Sequence, residues 1–331
     1  MIARDDPTAT YQLLAAEFRA RGYAAREFRL GTIDLLEVTS PHGAKWLTPI
    51  AHMSYPMQTA FTKTISIEKD LAYELVGGAG VPVPLTRVVA EDEVIADGEA
   101  EGLIARFGRL VVKPVDSTLS RGLTLNIADT HTLRSAINFA RESSRIGKVL
   151  IQQQVQGEEI RFIYLDGQII AAMLRATPKV VGDGTVTVAD LIEAENKERR
   201  AIVGSMVTYP ELTADIWDAG LDVTRVLGAG EVLELNRSTM IRNGASVYDV
   251  LHDVDKSYRE LAHRAATAVG TDFIVVDMMI DDHTQPFDGT NAYFNEFNAA
   301  PVLKLCYSCR DGKHVDIVPR LVDTIEKRLR V

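Results

Sequence analysis

Cysteine is nearly absent from this chain: 331 residues hold two, Cys306 and Cys309. That scarcity excludes a disulfide framework. A structural zinc site wants four ligands, and no second cysteine pair or close histidine pair accompanies the C-x-x-C formed by Cys306-Tyr-Ser-Cys309. No clear helix N-terminus follows Cys306 to activate it, so two plain thiols on a loop or strand are expected. Long apolar runs are also missing. The longest, Ile169–Leu174, is far too short to span a bilayer, and the N-terminus lacks a charged-then-apolar signal pattern. A cytoplasmic protein is therefore expected. Positive charge is outweighed: 36 Lys and Arg against 46 Asp and Glu leave a net charge of −10. That balance argues against a general nucleic-acid or anionic-membrane surface. The phosphate-loop pattern G-x-x-x-x-G-K-[ST] occurs nowhere, and there are no repeats or low-complexity linkers.

What is present is ordinary for a globular protein: 46% hydrophobic and 25% charged residues. The length suits two or three lobes. Tyr11–Ala20 has a helical pattern and Ile33–Val38 a strand-like one. Ser66–Gly78 reads as one helix capped by Ser66, with Ile67, Leu71, Ala72, Leu75 and Val76 as its stripe. Thr86–Val89, Leu110–Pro114 and Val149–Val155 read as strands, and Thr130–Ile146 as an amphipathic helix. Asp166-Gly167 between Ile160–Leu165 and Gln168–Leu174 suits a type I′ hairpin. Lys179–Gly184 reads as a turn, Thr187–Lys197 as the start of a helix and Glu231–Leu235 as a strand. Asp253–Val269 and Val315–Leu329 complete the helices.

Three places carry chemistry. Asp272–Pro301 holds two β-rich runs, Phe273–Ile280 and Ala292–Phe297. Asp277 interrupts the first, while Glu296 and Asn298 share one face of the second. A carboxylate among Ile, Val and Met is costly to bury without a cation or hydrogen bonds. Two carboxylates and an amide oxygen offer the hard ligands Mg²⁺ takes, although ordinary hairpin polarity accounts for them as well. Lys113 interrupts a buried-type strand, where a lysine either snorkels or points at an anion. The hydroxyl-rich loop Val115–Thr124 follows, ending in Gly122, and such loops can present N–H and hydroxyl groups to phosphate. Lys69, taken alone, is a solvated lysine in a helix's first turn.

Together these segments resemble the ATP-grasp superfamily, nearest to the modules found in cyanophycin synthetases and bifunctional glutathione synthetases. The resemblance rests on Ala79-Gly-Val-Pro-Val-Pro84, Val111-Val-Lys-Pro114, Gln152-Gln-Gln-Val-Gln-Gly-Glu-Glu-Ile-Arg161, Val180-Val-Gly-Asp-Gly184 with Thr187-Val-Ala-Asp-Leu191, and Asn295-Glu-Phe-Asn-Ala-Ala-Pro301. It implies an α+β/α/β architecture: two lobes clasping ATP (66–155 and 156–331) behind a small N-terminal α/β lobe (1–65). It implies that Lys69 and Lys113 contact phosphates and that Ser117–Gly122, with Ser117, Ser120, Arg121 and Gly122, forms the lid. Gln152, Gln153 and Val155 match the hinge that holds adenine, and Glu159 the acid that binds ribose. Asp277, Glu296 and Asn298 match the metal ligands, for Mg²⁺ or alternatively Mn²⁺. Arg161 and Arg175, with Lys113, match the groups beside the transferred phosphoryl. The substrate-side loop reads Arg242, Asn243, Gly244.

The implied activity is an ATP-dependent carboxylate–amine ligation of amino acids or small peptides, with neither nucleic acid nor membrane as partner and homo-oligomerisation left open. Tailoring of a ribosomally made peptide and non-catalytic nucleotide binding are the rival readings. The lid here is poorer in glycine than the family's, and Gln152 stands where the hinge acid is commonly Glu.

Overall fold

The computed structural model describes residues 9–117, 121–218, 220–311 and 313–329. Helix α1 (Thr10–Ala20) precedes a three-stranded antiparallel sheet of β1 (Ala24–Leu30), β2 (Ile33–Thr39) and β3 (Lys45–Pro49).

The expected single helix from Ser66 is two helices, α2 (Ala60–Ile67) and α3 (Lys69–Gly78). Thr59, not Ser66, caps the first, in a reciprocal capping box with Thr62. Ser66 lies in its last turn and donates its hydroxyl to the carbonyl of Lys63 at 2.8 Å. Glu68 leaves helical geometry, with φ −82° and ψ 90°, and the chain restarts. The break makes Lys69 the first residue of α3, and its backbone N–H reaches the carbonyl of Val115 at 3.3 Å.

A four-stranded antiparallel sheet follows: β4 (Thr86–Val89), β5 (Leu110–Pro114), β6 (Thr124–Ile127) and β7 (Val149–Gln153), in the order β4-β7-β5-β6. Helices α4 (Asp97–Phe107) and α5 (Thr130–Ser143) cover one face, burying Leu110, Val112 and Ile151 against Phe107, Leu133 and Ile137. Alternation turns Lys113 and Gln152 to the uncovered face. Neither α4 nor β6 has a clear pattern: Gly98 and Gly102 weaken the helix, and the strand is four residues long. Helix α5 stops three residues short of Ile146 because Ser144 is already extended.

Strands β8 (Glu158–Leu165) and β9 (Gln168–Ala176) form the expected hairpin. Asp166 and Gly167 both have positive φ, 50° and 83°, as a type I′ turn requires. The segment read as a turn begins with a short strand, β10 (Lys179–Val181), paired with β11 (Val232–Glu234). Helix α6 (Val188–Ala201) packs beside them around Val180, Val188, Ile192 and Leu227. Strand β12 (Ser246–Asp249) pairs with β9. Helix α7 (Lys256–Val269), stopped by left-handed Gly270, leads into β13 (Phe273–Ile280) and β14 (Ala292–Asn298). These build a five-stranded antiparallel sheet, β12-β9-β8-β13-β14, and α8 (Ile317–Leu329) ends the described chain.

The two faces of this sheet differ. Ile160, Phe162, Leu174, Ile274 and Val276 pack against α7 and α3. Ile163, Met173, Phe273 and Val275 pack against α1 and α8, in the core that also buries Cys306 and Cys309. Both cysteines are free thiols, and Cys306 lies in a short 3₁₀ turn, Leu303–Tyr307. Toward one end, the α1/α8 face changes from apolar to charged. No helix of the described residues is long and apolar enough to cross a membrane.

Candidate functional site

Strand register assembles the charged end. Glu159 lies opposite Arg175, Arg161 opposite Asp277, and Asp277 opposite Glu296. Period-two alternation therefore puts residues from four adjacent strands on one face. Asp277 is fully buried and receives both Arg161 N–H groups, Nε at 2.8 Å and Nη2 at 2.6 Å. Asn298 adds its amide N–H to Asp277 Oδ2 at 2.8 Å. Burial works against charge on Arg161, but Asp277, then Glu159 and Glu296, more than offset it, and its pKa is raised.

Arg175 donates one N–H to Glu159 Oε1 and another to the carbonyl of Thr239 at 2.9 Å. The Thr239 hydroxyl donates to Glu159 Oε2 at 2.9 Å. Both oxygens of Glu159 are thus engaged by protein. Burial pushes its pKa up, and Arg175 is the main counterweight.

The four-stranded sheet supplies the opposing wall. Lys113 Nζ donates to the Tyr73 hydroxyl at 2.9 Å, and that hydroxyl donates to the carbonyl of Asn295 at 2.7 Å. Two hydrogen bonds thus lead from the lysine of one sheet to the residue beside Glu296 in the other. Burial lowers the Lys113 pKa to about 8, against the pull of Glu296 and Glu159. Lys69 is buried, and its Nζ donates to the carbonyls of Ser117 and Val115. Burial lowers its pKa too, and Glu296 is the largest opposing charge.

The residues expected at the hinge and lid occupy these positions. Gln152 is buried on β7, donating Nε2 to Thr86 Oγ1 at 2.8 Å. Gln153 donates its backbone N–H to Leu85 O at 2.9 Å, and Val155 is half-buried just past the strand. Ser117 donates its hydroxyl to the carbonyl of Arg121 at 2.9 Å, and Arg121 is exposed. Gly122 has φ 75°, and a Cβ there would lie 2.6 Å from that of Ser143. Ser120 lies outside the described residues.

The loop of Arg242, Asn243 and Gly244, expected on the substrate side, is held by packing and hydrogen bonds. Gly244 is left-handed, φ 94°, and a Cβ would lie 2.7 Å from Leu212 Cδ2. Its carbonyl accepts from Arg199 Nη2 at 2.6 Å. Asn243 Nδ2 donates to Ser238 Oγ at 2.9 Å, and only Arg242 of the three is exposed. A separate cavity of about 470 Å³ opens on the opposite side of β9, lined by Leu174, Ala176, Tyr248, Asp249, Glu195 and Arg310. None of the candidate site residues lines it, although Glu158 and Val181 of the quoted motifs do.

The donor set suits a hard divalent cation. A carboxylate has about four acceptor sites, and Asp277 uses three on Arg161 and Asn298. Asn298 turns its amide nitrogen to Asp277, so its oxygen faces away. Glu296 is half-buried, and its carboxylate accepts no hydrogen bond among the described residues. Two carboxylates and an amide oxygen form an all-oxygen set of the kind Mg²⁺ takes with phosphates. No three His, Cys, Asp or Glu among the described residues converge on a metal-sized site, so a site here would need the amide of Asn298 as well.

Tyr73 and Thr239 join the site without a place among the residues expected from the sequence. Tyr73 stands four residues after Lys69, one helical turn along the same face, which is the signal that points to it. Thr239 has no such signal: it reaches Glu159 through a long loop.

No protein-family model matches the chain. It is 24% identical over 269 residues to a cyanophycin synthetase of Crocosphaera subtropica, covering 79% of this chain and 30% of that protein. It is 29% identical over 224 residues to a glutathione biosynthesis bifunctional protein of Streptococcus agalactiae, covering 64% and 30%. A solved bifunctional glutathione synthetase from Pasteurella multocida superposes with a TM-score of 0.64 at 20% identity, over 96% of this chain and 44% of that one. The chain spans about a third of the length of these curated relatives.

Proposed function

We propose that this chain, a member of the ATP-grasp superfamily by its fold and by its similarity to cyanophycin and glutathione synthetases, is an ATP- and Mg²⁺-dependent carboxylate–amine ligase acting on amino acids or small peptides. The division into a lobe of residues 1–65 and two lobes, 66–155 and 156–331, is part of the proposal. The observation that carries it is the link from Lys113 through Tyr73 to the backbone beside Glu296, which sets a lysine of one sheet close to the carboxylate-bearing strand of the other.

A carboxylate oxygen of the acyl substrate attacks the γ-phosphorus of ATP, and ADP leaves. The amine then attacks the acyl carbon of the acyl-phosphate, inorganic phosphate departs and an amide remains. No protein nucleophile is required. What the chain supplies is positioning and charge. Lys69 and Lys113 hold the phosphates from one wall, while Arg161 and Arg175 face the transferred group from the other. Asp277, Glu296 and Asn298 would hold Mg²⁺, which when bound would supply neutralisation of phosphate charge. Arg161 also orients Asp277 through its two hydrogen bonds, as neighbours of metal ligands commonly do. Gln152 and the backbone from Gln153 to Val155 are assigned to adenine, and Glu159 to ribose, where Thr239 gives up its hydrogen bond. Ser117, Ser120, Arg121 and Gly122 are assigned to the lid and Arg242 to the substrate carboxylate, with Asn243 and Gly244 shaping its loop.

The test is a panel of paired amino acids screened with ATP and Mg²⁺ for phosphate release, with products weighed by mass spectrometry. Pair-dependent phosphate release with a product lighter by one water than the summed substrates supports ligation. Nucleotide binding without pair-dependent release across the panel and short peptides would instead support a binding protein.

A further inference from the structure

We propose that Tyr73 is a positioning residue for Lys113, holding the phosphate-facing lysine of the four-stranded sheet in register with the carboxylate strand β14. The role of Lys113 itself rests on the ligase reading above; the contact does not.

The directions of the two hydrogen bonds follow from the chemistry of a phenol. Tyrosine has one O–H to donate, and the carbonyl of Asn295, at 2.7 Å, can only accept it. The oxygen is left as the acceptor for the ammonium of Lys113, at 2.9 Å. Nζ lies 5.4 Å from the ring centroid, which places it off the hydroxyl end and not over the ring face. The contact is therefore a charge-assisted hydrogen bond, not a cation–π stack.

The ring is held independently. Tyr73 is 5% exposed and meets Phe294 edge-on, centroids 5.8 Å apart. Phe294 is tied through its backbone N–H to the carbonyl of Pro82 at 2.8 Å, in the connector between the helix and the small sheet. Burial first, and Glu296 as well, raise the Tyr73 pKa, so the phenol keeps its proton. The Gln152 side chain also lies within hydrogen-bonding reach of it. One oxygen thus stands at the meeting point of α3, β5, β7 and β14. A lysine side chain has considerable rotamer freedom, and fixing it before a ligand arrives lowers the entropic cost of using it.

Tyr73→Phe keeps the ring and removes the shared oxygen. In the ligand-free protein, Lys113 acylation by a limiting amine reagent is followed against pH by mass spectrometry of its peptide. Loss of the acceptor leaves the ammonium with less support, so its apparent pKa falls and the amine is labelled faster at neutral pH, about tenfold for each unit of fall. MgATP affinity is expected to weaken about tenfold. A tyrosine that only packs would leave the labelling curve unmoved, and superimposable curves would overturn the proposal. If the variant does not fold, 3,5-difluorotyrosine at position 73 keeps both hydrogen bonds and makes the oxygen a poorer acceptor, so the curve should move the same way. Wild-type protein that fails to bind MgATP would contradict the nucleotide reading, while the labelling arm would still decide the Tyr73–Lys113 contact.

Discussion

Arg161 and Asp277 face each other on paired strands and share two N–H···O bonds, at 2.8 and 2.6 Å, with the carboxylate fully buried. Removing one partner of such a pair strands an uncompensated charge, at a cost of about 3–5 kcal/mol. Arg161→Met is expected to lower stability by that amount in urea denaturation. Adding Asp277→Leu should recover most of it, since two apolar groups leave no buried charge. A single variant as stable as wild type would mean that Asp277 has another counter-ion.

Lys113 behaves oppositely. Its folded pKa, about 8, lies below the ordinary 10.5. The folded protein therefore carries the ammonium at a cost, present in full below pH 8 and gone once pH has climbed past 10.5. Lys113→Met should melt higher than wild type at pH 7, with the gain shrinking between pH 8 and 10.5, while turnover is abolished. In the wild type, turnover should decline as pH rises through about 8. A lower melting temperature for the variant at pH 7 would contradict the burial argument.

Gly157 opens β8 two residues before Glu159. Its φ is 110°, and a Cβ there would sit 2.6 Å from the carbonyl carbon and oxygen of Ile280. Backbone atoms cannot move aside as a side chain can. Gly157→Ala is expected to cost about 1–3 kcal/mol in stability and to reduce turnover by displacing Glu159 from Arg175. Thermal denaturation with steady-state kinetics checks both.

The two cysteines are buried, Cys306 at 0% and Cys309 at 4% exposure, and burial raises both thiols to about 12. Neutral thiols in an apolar core do not carry redox chemistry at pH 7. Replacement of both by Ala should leave turnover intact at 25 °C. Cys306→Ser should lower stability by about 1–3 kcal/mol, because it buries a hydroxyl. A double Ala variant that folds but does not turn over would reverse this reading.

Much of this architecture is legible from local pattern. Asp166-Gly167 announces its hairpin, and Gly270 marks the end of α7, because a left-handed residue is a property of the residue itself. Asp277 inside an apolar strand is legible as a buried charge in need of a partner. That the partner is Arg161 is not, since strand register decides it and 116 residues separate the two. The restart at Glu68 is not legible locally for a related reason: propensity favours one helix, and only the contact of Lys69 with the residue after β5 explains two. Thr239 and β12 were hidden because what orders them is contact with β8 and β9, not their own sequence.

Isothermal titration of ATP with and without Mg²⁺ tests most directly whether MgATP is held between Lys113 of the four-stranded sheet and Glu296 of the five-stranded one. Saturable binding that strengthens with Mg²⁺, loses that gain in Glu296→Gln and disappears in Lys113→Met is the expected result. Absence of binding in wild type, or equal Mg²⁺-dependent binding in all three proteins, would contradict it.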